Sequence, residues 1–128
     1  MPTAKVLIVD DDFTVLGILS SYLKRNGGYE VRTTSNPQEA LEISRNDPVD
    51  LLIADIMMPG MLGPKLFQEI KLTSPKAACI FISGYERDMY NLPSDILFLS
   101  KPVESVELFS TIEKALAQSG QTNTTPAP

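Results

Sequence analysis

The sequence predicts an α/β fold, a doubly wound parallel sheet with helices on both faces, and three observations carry that expectation. Val6-Leu7-Ile8-Val9 and Leu51-Leu52-Ile53-Ala54 are unbroken apolar runs, the pattern of strands covered on both faces rather than one. Strand-like and helix-like stretches alternate five times with short connections, which calls for right-handed crossovers in one sheet. Both apolar runs stop at carboxylates, Asp10-Asp11-Asp12 and Asp55, and open α/β sheets place their sites at the carboxyl ends of strands.

The strands are expected at Lys5–Val9, Tyr29–Thr33, Leu51–Ala54, Ala78–Ile82 and Ile96–Leu99. After the first, Val15, Leu16, Ile18, Leu19, Tyr22 and Leu23 recur at helical spacing until Asn26-Gly27-Gly28 closes the helix. The second helix starts at Asn36-Pro37-Gln38-Glu39, an N-cap, a proline at the first helical position and a glutamate at the capping-box position. Ala40, Leu41 and Ile43 form its apolar face, and Asn46-Asp47-Pro48 ends it. A third helix is expected from Pro64 to Leu72, with Leu66, Phe67 and Ile70 inward. Between Ser83 and Ile96 there is room for only a short fourth helix of two turns before Pro93. The last helix is expected over Val103–Gln118, with Val106, Leu108, Phe109, Ile112 and Leu116 at helical intervals. Residues 1–118 thus read as one domain, and the polar, proline-bearing 119–128 as a disordered linker or tail.

Composition narrows the chemistry. A net charge of -5 speaks against nucleic acid or an anionic membrane as a direct partner. No apolar stretch approaches the ~20 residues that span a bilayer, and the first residues are no signal peptide, so a cytoplasmic domain is expected. The lone Cys79 lies in an apolar run and reads as a buried small hydrophobe. The chain contains no histidine, which removes Ser-His-Asp and Cys-His catalysis, imidazole-based zinc sites and any phosphohistidine of its own. What is left is carboxylates, hydroxyls, lysine and a hard metal.

Four features end strands at one edge: Asp10–Asp12 after the first, Asp55 after the third, Ser83 after the fourth and Lys101 after the fifth. Each alone has an ordinary reading. Acids after a strand cap the next helix, as Asp12 is placed to do; Ser-Gly makes a turn; Lys-Pro sits in a loop. Converging carboxylates need a cation to stay ionised, and Mg²⁺, which takes oxygen ligands and keeps waters, is the economical choice.

These motifs give the chain its resemblance. Val-Leu-Ile-Val-Asp10-Asp11-Asp12, Asp55-Ile-Met-Met-Pro59-Gly-Met-Leu-Gly63, Phe81-Ile-Ser83-Gly and Phe98-Leu-Ser-Lys101-Pro102 agree in order and spacing with the response-regulator receiver domain of two-component signal transduction, across residues 4–118. The resemblance implies a flavodoxin-like sheet of strand order 2-1-3-4-5. It makes Asp55 the phosphoacceptor, Asp11 a direct Mg²⁺ ligand, Asp10 a ligand through water and Met57 a ligand through its backbone carbonyl, with Mn²⁺ as a substitute ion. Ser83 and Lys101 would bind phosphoryl oxygens, and Phe98 would be the aromatic whose orientation follows phosphorylation. The donor would be a histidine kinase or phosphotransfer protein, the listener an output domain or protein that the sequence does not identify, and the domain itself a phosphoacceptor rather than an enzyme acting on other substrates.

Two other readings compete. Asp10-Asp-Asp12-Phe-Thr14 also fits the Asp-x-Asp-x-Thr motif of haloacid-dehalogenase-like phosphatases, with Ser83 and Lys101 in later roles, but Glu104, Glu107 and Glu113 fall on a helix instead of forming that family's metal pair. A receiver used only for docking, without phosphorylation, would not need the full set of site residues. The chain also departs from the receiver pattern. Leu62 stands where a polar residue usually caps the third helix, with Gly63-Pro64 to supply the turn. Met57 lies at a variable position beside the hydrolytic water, so the phosphoryl lifetime should differ from that of polar-substituted relatives. The short interval from Ser83 to Lys101 predicts a monomer or weak dimer that does not use the common face around the fourth helix. Ser83-Gly-Tyr after the fourth strand resembles receivers attached to hybrid sensor kinases.

Overall fold

A computed structural model describes residues 3–84 and 96–119. In chain order it has β1 (Ala4–Val9), α1 (Phe13–Asn26), β2 (Tyr29–Thr34), α2 (Pro37–Asn46), β3 (Leu51–Asp55), α3 (Gly63–Thr73), β4 (Ala78–Ser83), β5 (Leu97–Ser100) and α4 (Ser105–Ser119). The strands form one parallel sheet in the order β2-β1-β3-β4-β5. The short helix expected before Pro93, and the 119–128 tail beyond its first residue, lie outside the described residues.

The unbroken apolar runs follow from a sheet buried on both sides. Val6, Ile8, Leu51, Ile53, Ile80 and Ile82 point to one face and pack with Leu16, Leu19 and Leu23 of α1 and Leu108, Ile112 and Ala115 of α4. The alternating residues Leu7, Val9, Leu52, Ala54 and Phe81 point to the other and meet Ala40 and Leu41 of α2 and Leu66 and Ile70 of α3. With period-two alternation and helices over both faces, neither set of side chains can be polar. Each fully buried leucine or isoleucine contributes about 1.5–3 kcal/mol of transfer free energy, and the central strands carry most of them.

Helix ends follow local chemistry. The Asp12 carboxylate accepts the Thr14 amide at 2.9 Å as the N-cap of α1, and Gly27 and Gly28 close that helix at φ of 77° and 86°. The Asn36 side chain caps α2 by accepting the Gln38 amide at 2.8 Å, with Pro37 at its start. Leu62 precedes α3 without any side-chain cap bond, as its apolar side chain dictates. Four expectations need correction. The last helix begins at Ser105 rather than Val103, and Val106 is 81% exposed, so it belongs to the solvent face while Leu108, Ile112 and Ala115 supply the core. Ile18 is exposed in the same way, on the outer face of α1. Cys79 is only partly buried, because it lies towards the amino end of β4 where α3 finishes.

Candidate functional site

Strand register builds the site. β1 and β3 pair with Val9 opposite Ala54, so the next residues, Asp10 and Asp55, lie side by side at the carboxyl edge. On the other side of β3, Asp55 pairs with Ile82 and the Ile56 amide donates to the Ile82 carbonyl at 3.1 Å, bringing Ser83 alongside. Ser83 in turn pairs with Ser100, and its carbonyl accepts the Lys101 amide at 2.8 Å. Four residues separated by up to 91 positions are thereby gathered at adjacent strand ends.

The Lys101 ammonium lies 2.9 Å from Asp10 Oδ2 and 3.1 Å from Asp55 Oδ2. The other oxygens are held by backbone: Asp10 Oδ1 accepts the Asp12 amide at 2.9 Å, and Asp55 Oδ1 accepts the Met57 amide at 3.2 Å. One oxygen each from Asp10, Asp11 and Asp55 lies within 4.8 Å of the others. Asp10 is fully buried, Asp55 nearly so, and Asp11 exposed at the mouth. Asp10 Oδ2, although ion-paired with Lys101, is the one buried side-chain oxygen or nitrogen among the described residues towards which no donor is aimed in hydrogen-bond geometry.

Electrostatics in this edge are unresolved by protein groups alone. Burial raises the Asp10 carboxyl above its ordinary value; Lys101 and the Asp12 amide pull it down and nearby Asp55 pushes it up again. Lys101 loses solvation, but its ion pairs with Asp10 and Asp55 outweigh that and raise its pKa, so it stays charged. Three carboxylates facing one ammonium, with a buried oxygen lacking a directed donor, fit a hard divalent cation with oxygen ligands.

The structure brings Asp10, Asp11, Asp55 and Lys101 together, and it places Ser83, buried, at the end of the neighbouring strand. Met57 is half-exposed and joins the site by its amide. Phe98 is partly buried, pairs in register with Phe81 and packs on the cluster under α2 and α3, with β4 lying between its strand and that of Asp55. Asp12 points its carboxylate into the cap of α1, away from the acidic cluster. Sequence reasoning assigned nothing to Thr34, whose carbonyl accepts the Asp10 amide at 3.3 Å. A backbone acceptor carries no side-chain signal, and only the β1–β2 register reveals it.

A fold and site of this kind define a signalling receiver, and comparison with known proteins agrees. The family model of the response regulator receiver domain matches residues 6–113. The chain is 37% identical over 121 residues to the sensor kinase CckA of Brucella abortus (strain 2308), covering 89% of this chain and 13% of that protein. It is 33% identical over 124 residues to the transcriptional regulatory protein GlrR of Escherichia coli (strain K12), covering 91% of this chain and 27% of that protein. Among solved structures, the receiver domain of the hybrid histidine kinase CckA superposes with a TM-score of 0.75 at 32% identity, over 88% of this chain and 98% of that one. The chemotaxis protein CheY4 of Vibrio cholerae gives 0.79 at 25% identity, over 89% and 99%. The chain belongs to the response regulator receiver domain family, and it spans only a small part of the curated relatives it matches.

Proposed function

We propose that this domain accepts a phosphoryl group on Asp55 from a phosphohistidine of a partner histidine kinase or phosphotransfer protein, and passes the change to an output partner. The observation that carries this reading is Lys101 bridging Asp10 and Asp55 within the three-carboxylate cluster. Asp10, Asp11, Asp55 and the Met57 carbonyl would hold Mg²⁺, or Mn²⁺ in its place, and the ion would neutralise charge on the carboxylates and on the phosphoryl oxygens.

Asp55 is the nucleophile. Its carboxylate oxygen forms the new O–P bond as the P–N bond to the donor imidazole breaks, giving an acyl phosphate. The Met57 amide on Oδ1 and Lys101 on Oδ2 fix the carboxylate plane before attack, and positioning is most of what phosphoryl transfer asks of a protein. Lys101 then exchanges its carboxylate contacts for a phosphoryl oxygen, and the Ser83 hydroxyl takes another. Adding about one to two negative charges beside buried groups biases Ser83 and, through β5, Phe98 towards a second arrangement. The domain would catalyse only its own phosphorylation and dephosphorylation and act in the cytoplasm; no described helix is long and apolar enough to cross a membrane.

Mass spectrometry after incubation with Mg²⁺ and acetyl phosphate tests the reading. One phosphoryl group should be gained by the wild type and by Asp12→Asn and lost in Asp55→Asn; labelling that persists in Asp55→Asn sinks it.

A further inference from the structure

We propose that Gly63 is a positioning residue for Asp55: its missing side chain lets α3 seat directly on the peptide that carries the phosphoacceptor. The inference rests on the reading of Asp55 given above. A β-carbon at Gly63 would lie 2.6 Å from the Asp55 carbonyl oxygen, 3.1 Å from Ile56 Cα and 3.3 Å from the Asp55 carbonyl carbon. All three are backbone atoms, so none can swing aside as the tip of a side chain would. They are also held from the far side, since Asp55 pairs with Ile82 and the Ile56 amide donates to the Ile82 carbonyl.

The helix is no freer to retreat. The Gly63 amide donates to the Ile56 carbonyl at 2.8 Å, and Leu66 and Ile70 behind it are fully buried. The requirement is one of space alone. Gly60, four residues after Ile56, needs glycine for its φ of 87°, whereas Gly63 adopts ordinary helical backbone. A methyl group here must therefore displace either the Asp55–Ile56 peptide or the start of α3. The Asp55 carboxylate is aimed by two contacts: Lys101, delivered from the end of β5, and the Met57 amide, whose own peptide unit carries the Ile56 carbonyl bonded to Gly63. Shifting its peptide against them turns the nucleophile off line, and a misplacement of about 1 Å is worth about a hundredfold in rate.

The experiment compares wild type, Gly63→Ala and Gly17→Ala. Gly17 is the matched control, a helical glycine where an added β-carbon meets nothing within 4 Å. Each folded protein is labelled with acetyl phosphate at saturating donor and Mg²⁺, and the Met57 amide shift is read by NMR without metal. Gly63→Ala should stay folded, lose about tenfold to a hundredfold in maximal labelling rate and shift the Met57 amide, while Gly17→Ala matches wild type in both. A folded Gly63→Ala with wild-type rate and Met57 shift overturns the proposal. Should Gly63→Ala alone unfold, the double variant Leu62→Asp/Gly63→Ala, which supplies the cap that α3 lacks, carries the same comparison. If that too is unfolded, Gly63 serves the fold and not the site, and the proposal falls. Wild type unlabelled at Asp55 would instead refute the phosphoacceptor reading itself.

Discussion

The two ends of this sheet are both polar and behave as opposites. At the amino end, Ser44 Oγ bonds Thr73 Oγ1 at 2.6 Å and Ser74 Oγ at 2.9 Å, and Ser74 Oγ also accepts the Val49 amide at 2.9 Å. Nearby, Asp47 pairs with Lys5 and with Arg32, and Asp50 accepts the Lys5 amide at 2.8 Å. The buried members there are neutral hydroxyls with partners, and the charged members keep access to water. At the carboxyl end the arrangement is reversed. Ionisable Asp10 and Asp55 are buried, Lys101 is shared between them, and Asp10 Oδ2 has no directed donor. A satisfied network stabilises and specifies a fold, while three carboxylates around one ammonium leave negative charge for a cation to neutralise. The same sheet thus carries a structural end and, on the proposed function, a reactive one.

The sharpest way to break this contrast is to exchange the phenotypes. Asp55→Asn should lose all labelling by acetyl phosphate while keeping the fold, and Ser74→Ala should keep labelling; the reverse pattern in mass spectra would dissolve the distinction. Ser74→Ala should cost about 2 kcal/mol in urea unfolding, because the buried Val49 amide and Ser44 hydroxyl each lose a partner.

Smaller, and of opposite sign, is the expected effect of Asp10→Asn. Asp10 has its folded pKa raised, so its stabilising contribution is present at acid pH and is lost as pH rises through that raised value. With chelator at neutral pH, the neutral side chain should therefore make the protein about 1 kcal/mol more stable, and Mg²⁺ should raise the melting temperature of wild type but not of the variant. Calorimetry with and without Mg²⁺ reads both. The smallest effect belongs to Asp47→Asn. Asp47 has its pKa lowered, first by Lys5, so its contribution is present above the ordinary carboxylate value and fades as pH falls through the lowered one. Since the pair is solvent-exposed, high salt should erase what little difference in melting temperature remains. The two ends should thus respond to pH in opposite directions, and matching slopes would count against the contrast.

Much of this architecture is legible in one dimension. A strand buried on both faces must be apolar at every position, so Val6–Val9 and Leu51–Ala54 announce a covered parallel sheet. Caps at Asp12 and Asn36 are local hydrogen bonds over two residues, within reach of a sequence reading. Val106 and Ile18 were less legible, because a hydrophobic residue on the edge of a helical stripe falls in or out of the core according to how the helix is rolled on the sheet.

What the sequence determined by itself was therefore the kind of sheet and the kind of chemistry: apolar runs that need two covered faces, and strand ends rich in carboxylate with no imidazole to serve them. What only the tertiary structure decided was which groups touch. Register set Asp10 beside Asp55, and the β4–β5 pairing delivered Lys101 to both across intervals of 91 and 46 residues. It likewise seated α3 on the Asp55 peptide, where Gly63 leaves no room for a side chain. Such contacts depend on distances between segments that are remote along the chain, and these become definite only once the strands have paired and the helices have packed.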